Sequence, residues 1–129
     1  MAHWRWPHFS LGELACRCKG QFCSGEYWHD PAFLDSLEAL RTAVGRPLLL
    51  NSGHRCDLWN AHVGGASRSM HKTIAVDIAL AEQDRHELLR QAERLDFTGI
   101  GLGKTFLHLD RRVYPARWYY PGSKPSWRI

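Results

Sequence analysis

His71, Asp77 and His108 are the residues of this 129-residue chain whose types could most readily do chemistry together. Two neutral imidazoles and one carboxylate suit the inner coordination set of a catalytic Zn²⁺, which keeps a fourth position open for water. His108 sits in "FLHLD" (106–110), where strand alternation puts Phe106, His108 and Asp110 on one face and Leu107 and Leu109 on the other. A carboxylate two residues from a metal ligand is within reach of an activated water, which makes Asp110 the candidate acid/base group. A histidine–aspartate pair in a strand is also a common structural hydrogen bond, so spacing alone leaves both readings open.

The cysteines form a second cluster. Cys16, Cys18 and Cys23 fall within "CRCKGQFC", and Cys56 is the fourth. Such thiols can hold a second metal (zinc or an iron–sulfur cluster), pair as disulfides, or stay reduced, and C-x-C-x4-C matches no standard zinc-ribbon spacing. The run "GIGLGKT" (99–105) suggests a phosphate loop, but Thr98 stands where the first glycine of G-x-x-x-x-G-K-[ST] belongs. A helix should follow such a loop, and "TFLHLD" reads as a strand. The alternating glycines imply a turn or a close backbone approach instead.

The elements that must position these residues are legible in part. "HFSLGELAC" carries a capping box, Ser10 with Glu13, that opens a short helix. "HDPAFLDSLEALRTAVG" predicts a helix with Asp30 as N-cap, Pro31 in the first turn, a stripe of Phe33, Leu34, Leu37, Leu40 and Val44, and Gly45 past the end. Leu48 to Leu50 reads as a short buried strand, "NAHVGGASRS" as loop and "IAVDIAL" as strand. "EQDRHELLRQAERLDF" is a second amphipathic helix, with Asp84 and Glu87 as its capping box and Leu88, Leu89, Ala92 and Leu95 facing inward. "TGIGLG" is a turn or strand, "TFLHLDRRVY" a strand, and the aromatic tail "PARWYYPGSKPSWRI" is expected to cover the core without regular structure. The pattern predicts one α+β domain over 1–129, with a small, mainly antiparallel sheet and flanking helices.

Composition narrows the function classes. The chain is long enough for one modest core, carries six tryptophans, and has no apolar run near the ~20 residues of a membrane span. "MAHWRWPHFS" lacks the apolar stretch of a signal peptide, so the chain is expected to be made in the cytoplasm and carried to any outside site by other means. The net charge of +4 suits a polyanion, such as an anionic cell-wall polymer. The basic residues are dispersed and no nucleic-acid-binding motif accompanies them, which argues against nucleic acid as a partner. His3, His8 and His29 read as surface or packing residues, His86 as solvated, and His54 and His62 as flanking a cleft. Trp4 and Trp6 read as packing residues or a docking arm.

"SGHR" (52–55), Asn60 with Gly64 and Gly65, "S-x-H" (69–71), "A-x-D" (75–77), "FLHLD" and Arg117–Trp118 occur in that order. Together with the upstream helices they resemble the zinc D-Ala-D-Ala carboxypeptidase family of peptidoglycan peptidases, whose fold is shared with the hedgehog signalling domain. The resemblance covers nearly the whole chain and is strongest to compact murein peptidases of bacteria, prophages and phage-like particles. It implies His71, Asp77 and His108 as zinc ligands, Arg55 in the cleft gripping a carboxylate or an oxyanion, and Ser69 binding substrate or orienting a ligand. Asp110 stays the acid/base candidate, because Lys104 and Thr105 upstream of the third ligand offer no carboxylate. The implied activity is zinc-dependent cleavage of stem peptides or cross-links, as a carboxypeptidase or endopeptidase, through lysis or within a phage-tail-like assembly. The alternative is a catalytically weak or inactive structural component of such an assembly. One departure bears on that choice: the family pattern S-x-H-x-x-G-x-A-x-D has seven steps from histidine to aspartate. This chain has six, with Ile74 in the glycine region. A tighter turn without glycine would cost about 1 kcal/mol or more if φ were positive, and could shift a ligand.

Overall fold

The computed structural model describes residues 4–128, so His3 lies outside the described residues. Ser10 caps α1 (Leu11–Leu14) with both halves of the capping box in place. Asp30 accepts from the Phe33 amide at the start of α2 (Pro31–Val44), and Gly45 ends that helix in the left-handed region at φ 68°. The sheet is built from β1 (Leu50–Ser52), β2 (Ala75–Ala79), β3 (Gly99–Leu102), β4 (Phe106–Asp110) and β5 (Ala116–Tyr119). Its spatial order is β1-β2-β4-β3-β5, antiparallel throughout except for the parallel β3/β5 pair. α3 (Asp57–His62) follows β1, and α4 (Arg85–Arg94) joins β2 to β3.

One face of the sheet makes the core. Val76, Ile78, Ile100, Leu102, Leu107 and Leu109 cluster with Phe33, Leu34, Leu37 and Leu40 of α2 and Leu88, Leu89 and Ala92 of α4. Burial of each such leucine contributes roughly 1.5–3 kcal/mol. Trp6 joins that core and its indole donates to Asp35, while the Trp4 indole donates to the carbonyls of Trp6 and Phe9. Both tryptophans therefore pack against the domain.

Five expectations change. The Leu48–Leu50 strand begins only at Leu50, because Leu49 points outward, 67% exposed, and regular pairing starts with Leu50 opposite Ile78. The stretch read as loop opens in helix, since α3 runs through Asn60–His62 with the Cys56 sulfur accepting from the Trp59 amide. β4 stops at Asp110, whose carboxylate takes the Arg112 amide and turns the chain. The tail supplies β5 and a 3₁₀ turn (Lys124–Trp127), because the outer edge of β3 offers unpaired backbone groups that Ala116–Tyr119 satisfies. At α4, Asp84 caps the Glu87 amide, but Glu87 bonds Arg90 and Gln91 rather than closing the box.

Candidate metal centre and its cleft

The face of the sheet opposite the core carries one cross-strand row: Ser52, Asp77, His108, Gly101 and Trp118. Register alone thus sets Asp77 beside His108, although 31 residues separate them. His71 arrives from a 3₁₀ turn (Met70–Lys72) just ahead of β2, and Ser69 caps that turn by accepting the His71 amide at 3.1 Å. The result brings His71 Nε2 within 3.2 Å and His108 Nδ1 within 3.0 Å of Asp77 Oδ1.

The other nitrogen of each ring is already committed. His71 Nδ1 lies 2.7 Å from the Gly53 carbonyl, which can only accept, so that nitrogen carries the proton. His108 Nε2 likewise donates to Asp110 Oδ2 at 2.6 Å. Both rings therefore aim a lone pair at the Asp77 carboxylate, an arrangement that needs a cation or extra protons between them. Ligand bonds of about 2.0–2.1 Å in a tetrahedral zinc site put N and O donors about 3.3 Å apart, close to the separations observed here. A backbone carbonyl behind one ring and a carboxylate behind the other are the usual outer supports of metal-binding histidines. The donor set fits zinc.

Electrostatics agree. Burial opposes the charge on Asp77, but hydrogen bonding with His108 and His71 outweighs it and holds the carboxyl well below the usual range. His108 is raised: burial works against its cationic form, and bonds to Asp110 and Asp77 overcome that. Asp110 is depressed despite its burial, by Arg112 and then by His108.

The six-step turn keeps both ligands together. Three consecutive residues grip it: Gly53 through its carbonyl to His71, Arg55 through its amide to the His71 carbonyl at 2.5 Å, and His54 Nδ1 to the Thr73 carbonyl at 2.5 Å. No residue from 71 to 77 has positive φ, so the expected glycine cost does not arise. His54 Nε2 also bonds Glu26 at 2.7 Å, which makes this buried histidine a clamp on the turn and takes it out of the cleft wall.

The metal centre lies at the edge of a cleft of ≈ 450 Å³ lined by Arg55, Arg68, Arg112, Trp118 and Tyr120 as well as by the 63–71 loop. Arg55 lies 3.8 Å from Asp77 Oδ2 and donates to Asn60, which in turn ties down the Ala66 carbonyl. Asp110 does not suit the expected acid/base role. It is fully buried, does not line the cleft, and spends both oxygens on Arg112 and His108. Asp77 is the only carboxylate among the cleft-lining described residues. The sequence reading missed Arg112 and took Tyr120, which lines the cleft, for part of a tail covering the core. Arg112 grips Asp110 and lies 4.6 Å from the centre of the Trp118 ring. Burial, then the charge of Asp77, raise the Tyr120 phenol and keep it protonated.

The four cysteines also converge, with all sulfurs within 4.8 Å of one another. No disulfide joins them. Burial pushes Cys16 up to about 12, whereas amide hydrogen bonds, chiefly from Phe22, bring Cys18 down to about 6. His62 stacks on Trp59 beside this cluster, away from the cleft. His8 pairs with Glu38, His29 meets Tyr27, and His86 sits edge-on to Trp127.

Fold and site together define a metallopeptidase. A family model described as peptidase M15 matches residues 7–110, and the chain belongs to that family, whose members depend on zinc. His71, Asp77 and His108 are its candidate metal site. No curated protein matches the chain. The family match ends at Asp110, so Arg112, Trp118 and Tyr120, which complete the cleft, lie beyond it.

Proposed function

We propose that the chain is a zinc-dependent peptidase that cuts stem-peptide or cross-link bonds of peptidoglycan. The observation that carries this reading is the convergence of His71 Nε2, Asp77 Oδ1 and His108 Nδ1 at an open cleft, with the second nitrogen of each ring already donating. Zinc held there would polarise a peptide carbonyl and make a bound water acidic enough to attack it. Arg55 and Tyr120 supply the complementary donors. A guanidinium and a protonated phenol at the cleft wall stabilise negative charge as it develops on the carbonyl oxygen, and Arg68 can hold a carboxylate of the substrate. Asp110 acts as a positioning residue: by accepting from Nε2 it fixes the tautomer that leaves Nδ1 free. The net charge of +4 favours encounter with an anionic cell wall, reached through lysis or as a component of a phage-tail-like assembly.

Peptide release from purified sacculi, measured by mass spectrometry beside zinc content, tests the reading. Release that disappears together with one zinc in His71→Ala supports it, and a folded, zinc-loaded protein that leaves sacculi intact overturns it. A second reading, a weakly active or inactive member of the fold, is favoured by one observation. Asp77 is the only cleft-lining carboxylate among the described residues, and it is committed to the metal centre.

A further inference from the structure

The cysteine cluster has the spacing and the hydrogen bonding of a metal site. Cys18 and Cys23 sulfurs are 3.5 Å apart and all four lie within 4.8 Å of one another. Four zinc–sulfur bonds of about 2.3 Å arranged tetrahedrally put the sulfurs about 3.8 Å apart, so the four fit around a single ion. An iron–sulfur cluster seats its cysteines on different irons and needs a wider spread. Each sulfur also receives one backbone N–H: Cys56 to Cys16 (3.3 Å), Phe22 to Cys18 (3.4 Å), Glu26 to Cys23 (3.3 Å) and Trp59 to Cys56 (3.4 Å). Neutral thiols are weak acceptors. One amide for each sulfur suits thiolates, and four thiolates this close would need a cation between them. Phe22 and Trp59 close over the cluster, which leaves Cys23 as its only half-exposed member.

We propose that Cys16, Cys18, Cys23 and Cys56 bind one zinc ion as a closed tetrathiolate site that braces the segment aiming His71. Binding displaces the thiol protons to solvent and leaves no position for substrate, so the role is structural. A cleft of ≈ 640 Å³ bordered by Cys23 and Cys56 gives the ion its way in. The bracing follows from adjacency. Cys56 comes directly after Gly53, His54 and Arg55, the three residues that grip the 71–73 turn. The other three sulfurs come from the loop between α1 and α2, whose Glu26 holds His54.

Metal analysis of the full-length protein and its His71→Ala variant tests the proposal independently of any peptidase activity. Two zinc ions per chain are expected in the parent protein and one in the variant. Cobalt replacing that remaining ion should show intense sulfur-to-cobalt charge-transfer absorption. A Cys18→Ser/Cys23→Ser variant should lose the thiolate-bound ion. If it does not fold, mercurial titration of the parent protein decides: one zinc should be released as four thiols react, followed with a chromogenic chelator. Native thiols that react without releasing zinc, a His71→Ala protein free of metal, or an iron–sulfur spectrum would each overturn the proposal.

Discussion

The two clusters of metal-binding residue types differ in what aims their side chains. Asp77 and His108 are set by a sheet, whose register pairs them, and His71 comes in on the 3₁₀ turn just ahead of β2; side-chain and carbonyl acceptors behind the rings choose which nitrogen faces inward. The four cysteines stand on a loop and a helix N-terminus, where no strand pairing fixes them and backbone amides face the sulfurs. A sheet can present ligands with one side left open to a cleft. A loop without a core of its own needs every ligand position filled. On the readings proposed above, the same chain contains a site shaped for chemistry and a site shaped for staying folded.

Removing a ligand from each side should separate these roles most sharply. His71→Ala should abolish peptide release while keeping the circular dichroism of the parent, since the sheet does not depend on that residue. Cys18→Ser should act on folding: structural zinc contributes on the order of 10 kcal/mol to small sites, so a fall of more than about 10 °C in the thermal midpoint is expected by calorimetry. Equal thermal losses in the two variants would erase the contrast. Asp110→Asn should weaken zinc at the histidine site by about 10–100-fold, measured by competition with a chelator, and leave the thiolate-bound ion in place. Gly101→Ala adds a methyl 2.8 Å from the Trp118 ring, and overpacking of that kind costs about 1–3 kcal/mol. Urea unfolding should report that loss, and zinc stoichiometry should stay unchanged.

The smallest effect concerns neither cluster and serves as a control. Asp35 is depressed by the Trp6 indole and then by Arg5. A carboxyl lower in the folded than in the unfolded state stabilises above its ordinary value of about 3.9 and loses that contribution as pH falls through the folded value. Asp35→Asn should therefore flatten the acid limb of thermal stability equally with and without chelator. A chelator-dependent change would mean that the acid response belongs to the metal sites.

Much of this was legible in the sequence because it is local. The caps at Ser10, Asp30 and Asp84, the leucine stripe of α2 and the α+β class with a mainly antiparallel sheet depend on neighbours in the chain. The three converging ligands were legible through spacing and family resemblance. The role of Asp110 was not, because alternation places it on the face of His108 without saying that Arg112 would take its oxygens. β5 was hidden for a similar reason: "ARWY" has no apolar alternation, being largely exposed, and only the open edge of β3 makes it a strand. The effect of the shortened turn was equally out of reach, since the residues that hold it lie nearly twenty positions upstream.

β3 also sets how closely an aromatic ring from a further strand approaches the histidine site. His108 and Trp118 stand two strands apart, a span of about 9.5 Å at ordinary sheet spacing, yet their ring centres are 5.3 Å apart. Gly101 lies between them without a side chain, and the indole leans across it. One flank of the metal centre is thereby roofed by an aromatic ring from a strand that is not its neighbour. A position without a side chain thus shapes the Trp118 flank of the cleft, across from Arg55 and the 63–71 loop.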